Sequence, residues 1–258
     1  MKTMPYFILN LSYKKLLLIT ILGSLTISGL IFLFQKTFNE TIANVLTNVL
    51  VALSASIIVS FFWNKFVLDA TNHYEKSGIK DYFDEFSAIE LDIREGLKKA
   101  KNIEMFFMYG NTFTNSNSTS LKTALSNRGN EVTIMISGKK NPFLSQYAIF
   151  WGYEEGKLEG LIEDTVKRII EWYEVIPEDS RSKLTIFEFT KGCFTYSYFK
   201  LDKNIYFVPN KAVAEKTFKP MTIFGSQTKS TNCLYNRMEK EKTHMIETNE
   251  LVKIYPLN

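Results

Sequence analysis

The chain has 258 residues, of which 22% are charged, and its formal net charge is +4. This length allows a membrane hairpin and one domain of ordinary size. The basic residues are dispersed, so charge alone does not indicate a nucleic-acid polymer as partner. Cys193 and Cys233 are the only cysteines. They exclude a disulfide framework and lack the paired spacing of a zinc site, which indicates a reducing cytosolic environment.

The sequence from residue 16 to residue 34 carries no charge over 19 residues. A helix of this length spans roughly 28 Å, close to the hydrocarbon thickness of a bilayer. A signal peptide would have a shorter apolar region followed by a cleavage site, and residues 35–39 offer none. We therefore predict a retained transmembrane helix.

A second uncharged stretch, residues 41–64, predicts a second transmembrane helix with a polar stripe. Small and amide-bearing residues recur at every fourth position and would form one ridge of that helix. Such residues allow close helix approach and hydrogen bonds between helices. The stripe therefore predicts helix association, either with the first helix or between copies of the chain, where it could also line a pore. Its members are Asn44, Asn48, Ala52, Ser56 and Ser60.

Lysines near the helix ends predict the orientation of this hairpin in the membrane. Three lysines precede the first span, three follow the second within residues 65–80, and the loop of residues 35–43 contains only Lys36. The positive-inside rule then places both termini in the cytoplasm. The predicted organisation is a cytosolic segment (1–15), a two-helix hairpin in the lipid bilayer (16–64), a connector (65–80) and a cytosolic α/β domain (81–258).

The cytosolic part alternates predicted helices and strands. Apolar residues follow a helical period from residue 79 to residue 97, and a polar loop is predicted at residues 110–120. Strands are predicted at residues 103–109, 131–137, 183–189, 194–201 and 205–208. Further helices are predicted after the polar loop, at 143–173 and at 230–247. This order predicts an α/β sandwich with a mixed sheet.

Four segments in this order resemble one half of the phospholipase D-like fold, over about residues 85 to 247. They are DIREGLKKAKNIEMFFMYG, LKTALSNRGNEVTIMIS, FTYSYFKLDKNIYFVPN and MTIFGSQTKSTNCLYNRMEKE. The third segment is similar to the region that carries the His-x-Lys-x4-Asp motif of that family. The resemblance implies a phospholipase D-like domain with a ligand groove.

The catalytic residues of that motif are absent. With Asp202 as the anchor, Ser197 stands in the place of the lysine and Thr195 in the place of the nucleophilic histidine. Neither can attack phosphorus or stabilise charge on phosphoryl oxygens. We therefore predict that the chain is not an enzyme and is similar to family members that kept the groove for binding. No metal or cofactor motif is present, and neither is predicted.

Ligands of α/β sheets usually bind at the carboxyl ends of strands, which predicts a site after the first two strands and in the hairpin. Hydroxyls, amides and lysines there would suit a phosphate-bearing ligand. The competing interpretation is a solvated loop that caps a helix, together with solvated turn lysines. The candidates are Tyr109, Asn111, Thr112, Thr114, Ser137, Lys139, Lys140, Thr195, Ser197 and Lys200.

Two N-terminal helices followed by a cytosolic sensor resemble membrane effectors of bacterial nucleotide-signalling antiphage systems. This resemblance implies an antiphage-defence effector whose domain senses a cyclic nucleotide and controls oligomeric helices that disrupt the inner membrane. The homo-oligomer would follow from the polar stripe. Two alternatives remain: a membrane-tethered phosphodiesterase or nuclease with a non-standard site, using Lys200 and Asp202, or a passive membrane scaffold that binds another protein.

Overall fold

The structure is a computed structural model that describes residues 22, 23, 26, 27, 29–33, 36, 37, 39–210 and 220–256. Within 43–74, the side chains at 43, 46, 50, 53, 57, 60, 61, 64, 68, 69 and 72–74 are not described. The chain divides into two compact units, Met1–Asn72 and His73–Asn258. The predicted N-terminal segment, residues 1–15, lies outside the described residues.

The described residues between 22 and 37 are helical, and a long helix, α1 (Glu40–Ser77), follows them. The side chain of Asn39 accepts a hydrogen bond from the Thr41 N–H at 3.2 Å, as a helix-capping residue does. α1 contains the predicted second span and continues through residues 65–77, because the first helix breaker is Gly78. Gly78 has φ +73, a conformation that glycine adopts readily.

The predicted polar stripe lies on α1. Asn44, Asn48, Ala52 and Ser56 are exposed in the first unit, and the side chain of Ser60 lies outside the described residues. Within the part of the chain that the structure describes, no helix has both the length and the apolar character needed to cross a membrane.

In the second unit, a strand follows α1 where the sequence analysis predicted a helix. Residues Ile79–Phe83 form β1, a short 3₁₀ helix follows at Phe86–Ile89, and the α-helix α2 covers only Glu90–Lys99. β1 pairs antiparallel with β7 (Thr222–Ser226). Five residues are too few for periodicity to distinguish strand from helix, and pairing with a distant strand determines the outcome.

The remaining elements alternate largely as predicted. The five predicted strands occur as β2 to β6, and each observed end lies within two residues of the predicted one. The helix α3 replaces part of the predicted polar loop. The last strand, β8, was not predicted. These elements are β2 (Asn102–Phe107), α3 (Asn111–Ser116), α4 (Ser118–Leu125), β3 (Glu131–Ser137), α5 (Leu144–Trp151), α6 (Lys157–Glu174), β4 (Lys183–Phe189), β5 (Tyr196–Leu201), β6 (Asn204–Pro209), α7 (Leu234–Glu247) and β8 (Leu251–Tyr255).

All eight described strands form one mixed sheet in the order β1-β7-β6-β5-β2-β3-β4-β8. β2, β3 and β4 are parallel, and every other neighbouring pair is antiparallel. The structure therefore confirms the predicted α/β class with a mixed sheet. Because β2 and β3 lie in the middle, Met105 and Ile134 are almost fully buried.

Helices cover both faces of this sheet. On one face, α2 packs so closely that a Cβ on Gly96 would lie 2.5 Å from Leu201 Cδ1. α2 contacts α4, and α4 contacts α6. On the other face, α7 packs against β6, β7 and β8. β2 contributes side chains to both faces, because alternate side chains of a strand point to opposite sides of the sheet.

Under α7, the sheet buries a cluster of opposite charges. Lys200 lies 3.5 Å from Glu104 Oε1 and also pairs with Glu239. Lys242 pairs with Glu104 and lies 3.1 Å from Glu239 Oε2. The Tyr198 hydroxyl donates to Glu104 Oε1 at 2.7 Å. Buried charges persist when they are paired and hydrogen-bonded, as they are here.

Lys200 is the most enclosed member of this ion cluster, with 3% of its side chain exposed. Its Nζ lies 4.1 Å from the centre of the Tyr235 ring, a cation–π contact. Burial lowers the pKa of Lys200 to about 8, although the Glu104 carboxylate opposes this shift. The sequence analysis proposed Lys200 as a ligand-binding residue, and the structure places it in the ion cluster.

We expect Lys200→Met to lower the free energy of unfolding by about 3 kcal/mol, because it removes one partner of a buried charge pair. Lys183→Met is the matched control. Lys183 forms a similar pair between neighbouring strands with Glu131 at 3.0 Å, but its side chain is 74% exposed. The control should cost less than about 1 kcal/mol. Urea unfolding of both variants measures the difference, and equal losses would contradict a structural role for the ion cluster.

Candidate functional site

A cavity of about 610 Å³ lies at the end of the sheet where β2 finishes. β5 runs antiparallel to β2, and Ser197 near its start pairs in register with Val208 near the end of β6. The end of β2, the start of β5 and the end of β6 therefore meet at one edge. A cavity of this size is typical of small-molecule sites.

The cavity wall combines aromatic rings with uncharged polar groups. The lining residues come from the 3₁₀ helix, α2, β2, the segment 108–117, the end of α5, and strands β5 and β6. They are Phe86, Glu90, Phe107, Met108, Tyr109, Gly110, Thr112, Phe113, Ser116, Asn117, Trp151, Ser197, Phe199, Val208, Asn210 and Pro220.

Four phenylalanines form a continuous aromatic surface in this wall. Phe113 stacks on Phe199 with ring centres 4.3 Å apart, and Phe86 lies 5.7 Å from Phe199. Phe107 lies 6.2 Å from Phe113. Phe107 and Phe199 are buried in the core, so neighbouring side chains restrict their positions.

Gly110 allows the chain to turn beside these rings. It has φ +59, and a Cβ at this position would lie 2.1 Å from the Phe107 ring. Only glycine meets both requirements without strain. From this turn α3 begins, which brings Thr112, Phe113 and Ser116 to the cavity.

Tyr109 and Trp151 form a second aromatic group, with ring centres 6.3 Å apart and nearly perpendicular planes. The Tyr109 carbonyl accepts a hydrogen bond from the Thr165 hydroxyl on α6 at 2.8 Å. Burial, reinforced by Tyr153, raises the pKa of Tyr109 to about 12. Tyr109 is therefore a neutral hydroxyl at physiological pH.

Two buried polar atoms of the cavity residues have no hydrogen-bond partner among the described residues. They are Asn117 Oδ1, an acceptor, and Trp151 Nε1, a donor. Asn117 is 3% exposed, and its amide nitrogen donates to the Phe113 carbonyl at 3.0 Å. Buried polar groups are normally paired, so these two atoms require an explanation.

Charge is scarce in the cavity. Among the described residues that line it, Glu90 alone carries a charge at neutral pH. Arg94 lies 3.0 Å from that carboxylate, one turn along α2. The described part of the wall therefore presents no cation, and residues 211–219, between the lining residues Asn210 and Pro220, lie outside the described residues.

The structure brings three of the predicted site residues to this cavity: Tyr109, Thr112 and Ser197. Asn111 lies beside them but accepts a hydrogen bond from Arg168 at 3.2 Å. Thr114 is buried, and its hydroxyl donates to the Gly110 carbonyl at 3.0 Å. These last two residues have structural partners and are not part of the wall.

The other predicted residues do not line the cavity. Ser137 is buried at the end of β3, Lys139 lies 3.1 Å from Glu163, and Lys140 is exposed. Thr195 is exposed in the loop before β5. With Lys200 in the ion cluster, the predicted lysines are all outside the cavity that the structure describes.

Asp202, the anchor of the motif comparison, is a turn residue between β5 and β6. It has φ +54, and its Oδ1 accepts the N–H groups of Lys101 and Asn102 at 3.0 and 2.9 Å. These bonds connect the turn to the first residues of β2. Neither Asp202 nor Lys200 lines the cavity.

Sequence reasoning missed most of the aromatic wall. Phe86, Phe113 and Phe199 follow the ordinary pattern of core residues, so their sequence contained no signal for a cavity. Trp151 lies at the end of α5, before Gly152, and no motif marks it. Asn117, inside a polar loop, was indistinguishable from its neighbours.

We expect Gly110→Ala to destabilise the protein by about 1–3 kcal/mol more than Gly152→Ala, because the new methyl group meets the Phe107 ring. Gly152 is the matched control, since it has φ +66 but a Cβ added there would have no atom within 4 Å. Both substitutions place an alanine at a positive φ, which is destabilising. Only Gly110→Ala also brings the new methyl group into a steric clash. Thermal and urea unfolding measure the difference; equal destabilisation would contradict close packing at this part of the wall.

No model of a known protein family matches the chain, and no curated protein matches it. Among solved structures, it is similar to TrmBL2, described as an archaeal chromatin protein with a novel mode of DNA binding. The two chains are 9% identical, the match covers 81% of this chain and 69% of that chain, and the TM-score is 0.37. This degree of likeness carries no argument about fold or function.

Proposed function

We propose that the chain is a membrane-attached effector whose α/β domain senses a small planar ligand. In this proposal the domain binds the ligand in the cavity at the end of β2. Ligand binding then alters the association of N-terminal helices from several copies, which disturbs a bacterial inner membrane, as an antiphage defence effector would. The ligand must bind the two association states with different affinities, since otherwise it shifts no equilibrium.

The cavity is the observation that carries this proposal. It combines an aromatic surface, hydroxyl and amide side chains and a volume of about 610 Å³ in one place. Aromatic side chains can stack on many different planar rings, and a few polar groups then determine which ligand binds. A nucleobase-bearing messenger fits this description.

The order of elements supports a phospholipase D-like domain that binds and does not catalyse. The segments that carry the resemblance contain α2 with β2, α4 with β3, the hairpin of β5 and β6, and β7 with α7, in that order along the chain. Ser197 lines the cavity in the place of the family's lysine, while Thr195 is exposed. The Ser197 hydroxyl can bind a ligand, but it cannot act as the missing nucleophilic histidine.

The membrane part of the proposal is supported by sequence. Residues 16–34 and 41–64 are uncharged, and lysines flank them on the side proposed as cytoplasmic. Asn44, Asn48 and Ser56 would mediate association between helices. The alternative of a phosphodiesterase or nuclease lacks comparable support, since Lys200 and Asp202 have structural partners outside the cavity.

We expect the full chain to remain with the membrane pellet after a carbonate wash of cells that express it. The double substitution Ile27→Lys and Val51→Lys, with one lysine near the centre of each predicted span, should move it to the soluble fraction, because each lysine there costs about 3 kcal/mol. The matched control, Ile27→Leu with Val51→Leu, should stay in the pellet. Release of the unaltered chain by the wash would contradict membrane insertion.

We expect at least one compound in a panel of nucleobases, nucleosides and cyclic nucleotides to raise the melting temperature of the full chain purified in detergent. A ligand present at a hundred times its dissociation constant stabilises the folded state by about 2.7 kcal/mol. Ser116→Trp should abolish the shift by filling the cavity from an exposed position. Thr119→Trp, on an exposed part of α4, should retain it. A folded chain that no compound stabilises would contradict ligand sensing.

A further inference from the structure

We propose that the edge of the sheet at which the chain passes from α1 into β1 binds anionic lipid headgroups. This inference rests on the proposed function, since it assigns a lipid-binding surface to the second unit of a membrane-attached chain. We call this surface the basic edge. Four short segments form it, namely residues 75–78, 95–101, 202–203 and 227–229.

Backbone hydrogen bonds hold three of these segments together at one end of the sheet. The Lys101 N–H donates to Asp202 Oδ1 at 3.0 Å, which joins the segment after α2 to the turn between β5 and β6. The Gln227 N–H donates to the Lys203 carbonyl at 2.7 Å, which joins that turn to the segment after β7. The lysines of these segments therefore lie at the same edge.

Positive charge predominates on the basic edge. Its four segments contain six lysines, at positions 76, 98, 99, 101, 203 and 229, and three acidic residues, at positions 75, 95 and 202. Glu95 pairs with two of the lysines, Lys98 and Lys99, at 2.7 and 3.7 Å. The other four lysines are exposed and have no ion-pair partner among the described residues. Exposed cations without counter-ions, grouped at one edge, attract a polyanionic surface.

The path of the chain favours a lipid surface as this polyanion. The Gly78 carbonyl accepts a hydrogen bond from the Ser226 N–H at 2.7 Å, so α1 ends beside β7 at the basic edge. α1 contains the predicted span of residues 41–64, and residues 65–77 continue it without interruption as far as Gly78. At 1.5 Å per residue, this continuation covers about 20 Å. The basic edge is therefore the end of the sheet that lies nearest to the membrane along the chain.

The range of electrostatic attraction sets a further requirement on α1. Attraction to anionic headgroups decays over about 8 Å at physiological ionic strength. The proposed contact therefore requires residues 65–77 to run obliquely to the membrane normal, since an upright helix would hold the lysines beyond this range. Phe66 and Val67 are exposed on this part of α1. Such apolar side chains suit the boundary between headgroups and acyl chains.

Lysine reactivity of the full chain in lipid bilayers tests this contact. The chain is reconstituted into nanodiscs of phosphatidylcholine alone, or of equal parts phosphatidylcholine and phosphatidylglycerol, and mass spectrometry follows acetylation of each lysine. We expect Lys101, Lys203 and Lys229 to react about threefold or more slowly in the anionic bilayer, because headgroups bind their ammonium groups. Lys140 and Lys157 are exposed outside the basic edge and should react equally in both bilayers.

Two changes should remove the protection of Lys229. Salt at about 1 M shortens the Debye length to about 3 Å and should restore the rate seen in the neutral bilayer. The double substitution Lys101→Glu with Lys203→Glu should have the same effect, because it reverses two charges beside Lys229. The matched control, Lys140→Glu with Lys157→Glu, should leave the protection unchanged. Melting temperatures of both variants show that the fold is intact, and the salt test needs no variant.

The outcomes separate this inference from the proposed function. Equal reactivity of the three basic-edge lysines in the two bilayers overturns the inference and leaves membrane attachment intact. Equal slowing of every lysine, with Lys140 and Lys157 included, indicates a general effect of the anionic surface and also overturns it. If the chain does not insert into either bilayer, the inference and the proposed membrane effector both fail.

Discussion

The alternation of side chains along β2 is the constraint on which the second unit depends. β2 is hydrogen-bonded to β3 at one edge and to β5 at the other, and its residues 103–107 are buried on both faces. Met105 and Phe107 point to the face of α2 and the cavity, whereas Glu104 and Phe106 point to the face of α7. A shift of register by one residue would exchange these two sets and place Glu104 in the aromatic wall.

The register between β2 and β5 keeps the two chemistries apart. Lys200 pairs in register with Glu104, and Phe199 with Met105. The lysine therefore reaches its counter-ion on the face of α7, while the phenylalanine contributes to the cavity. Such a separation keeps the buried cation beside its carboxylate partners and away from the cavity, where an unpaired charge would be costly. The register of a single strand pair thus places the ion cluster and the aromatic wall on opposite faces of the sheet.

The sequence was sufficient for the local parts of the fold and insufficient for parts that depend on distant pairing. The buried strand β3 is a dense apolar run between polar residues, and its bounds were predicted correctly. β1 was predicted as helix and β8 was missed, since both are short and pair with strands remote in sequence, β7 and β4. Pattern alone cannot supply such partners. The predicted residues that line the cavity are Tyr109 and Thr112, which follow β2, and Ser197 in the hairpin.

Position 197 illustrates how strand geometry sets the chemistry of the cavity wall. Ser197 and Phe199 line the cavity, whereas Tyr198 and Lys200, which alternate with them along β5, contact Glu104 on the other face. A lysine at position 197 would place a positive charge in the cavity, whereas the serine hydroxyl offers hydrogen bonds without charge. The cation of β5 therefore belongs to the ion cluster on one face, and its hydroxyl lies at the cavity on the other.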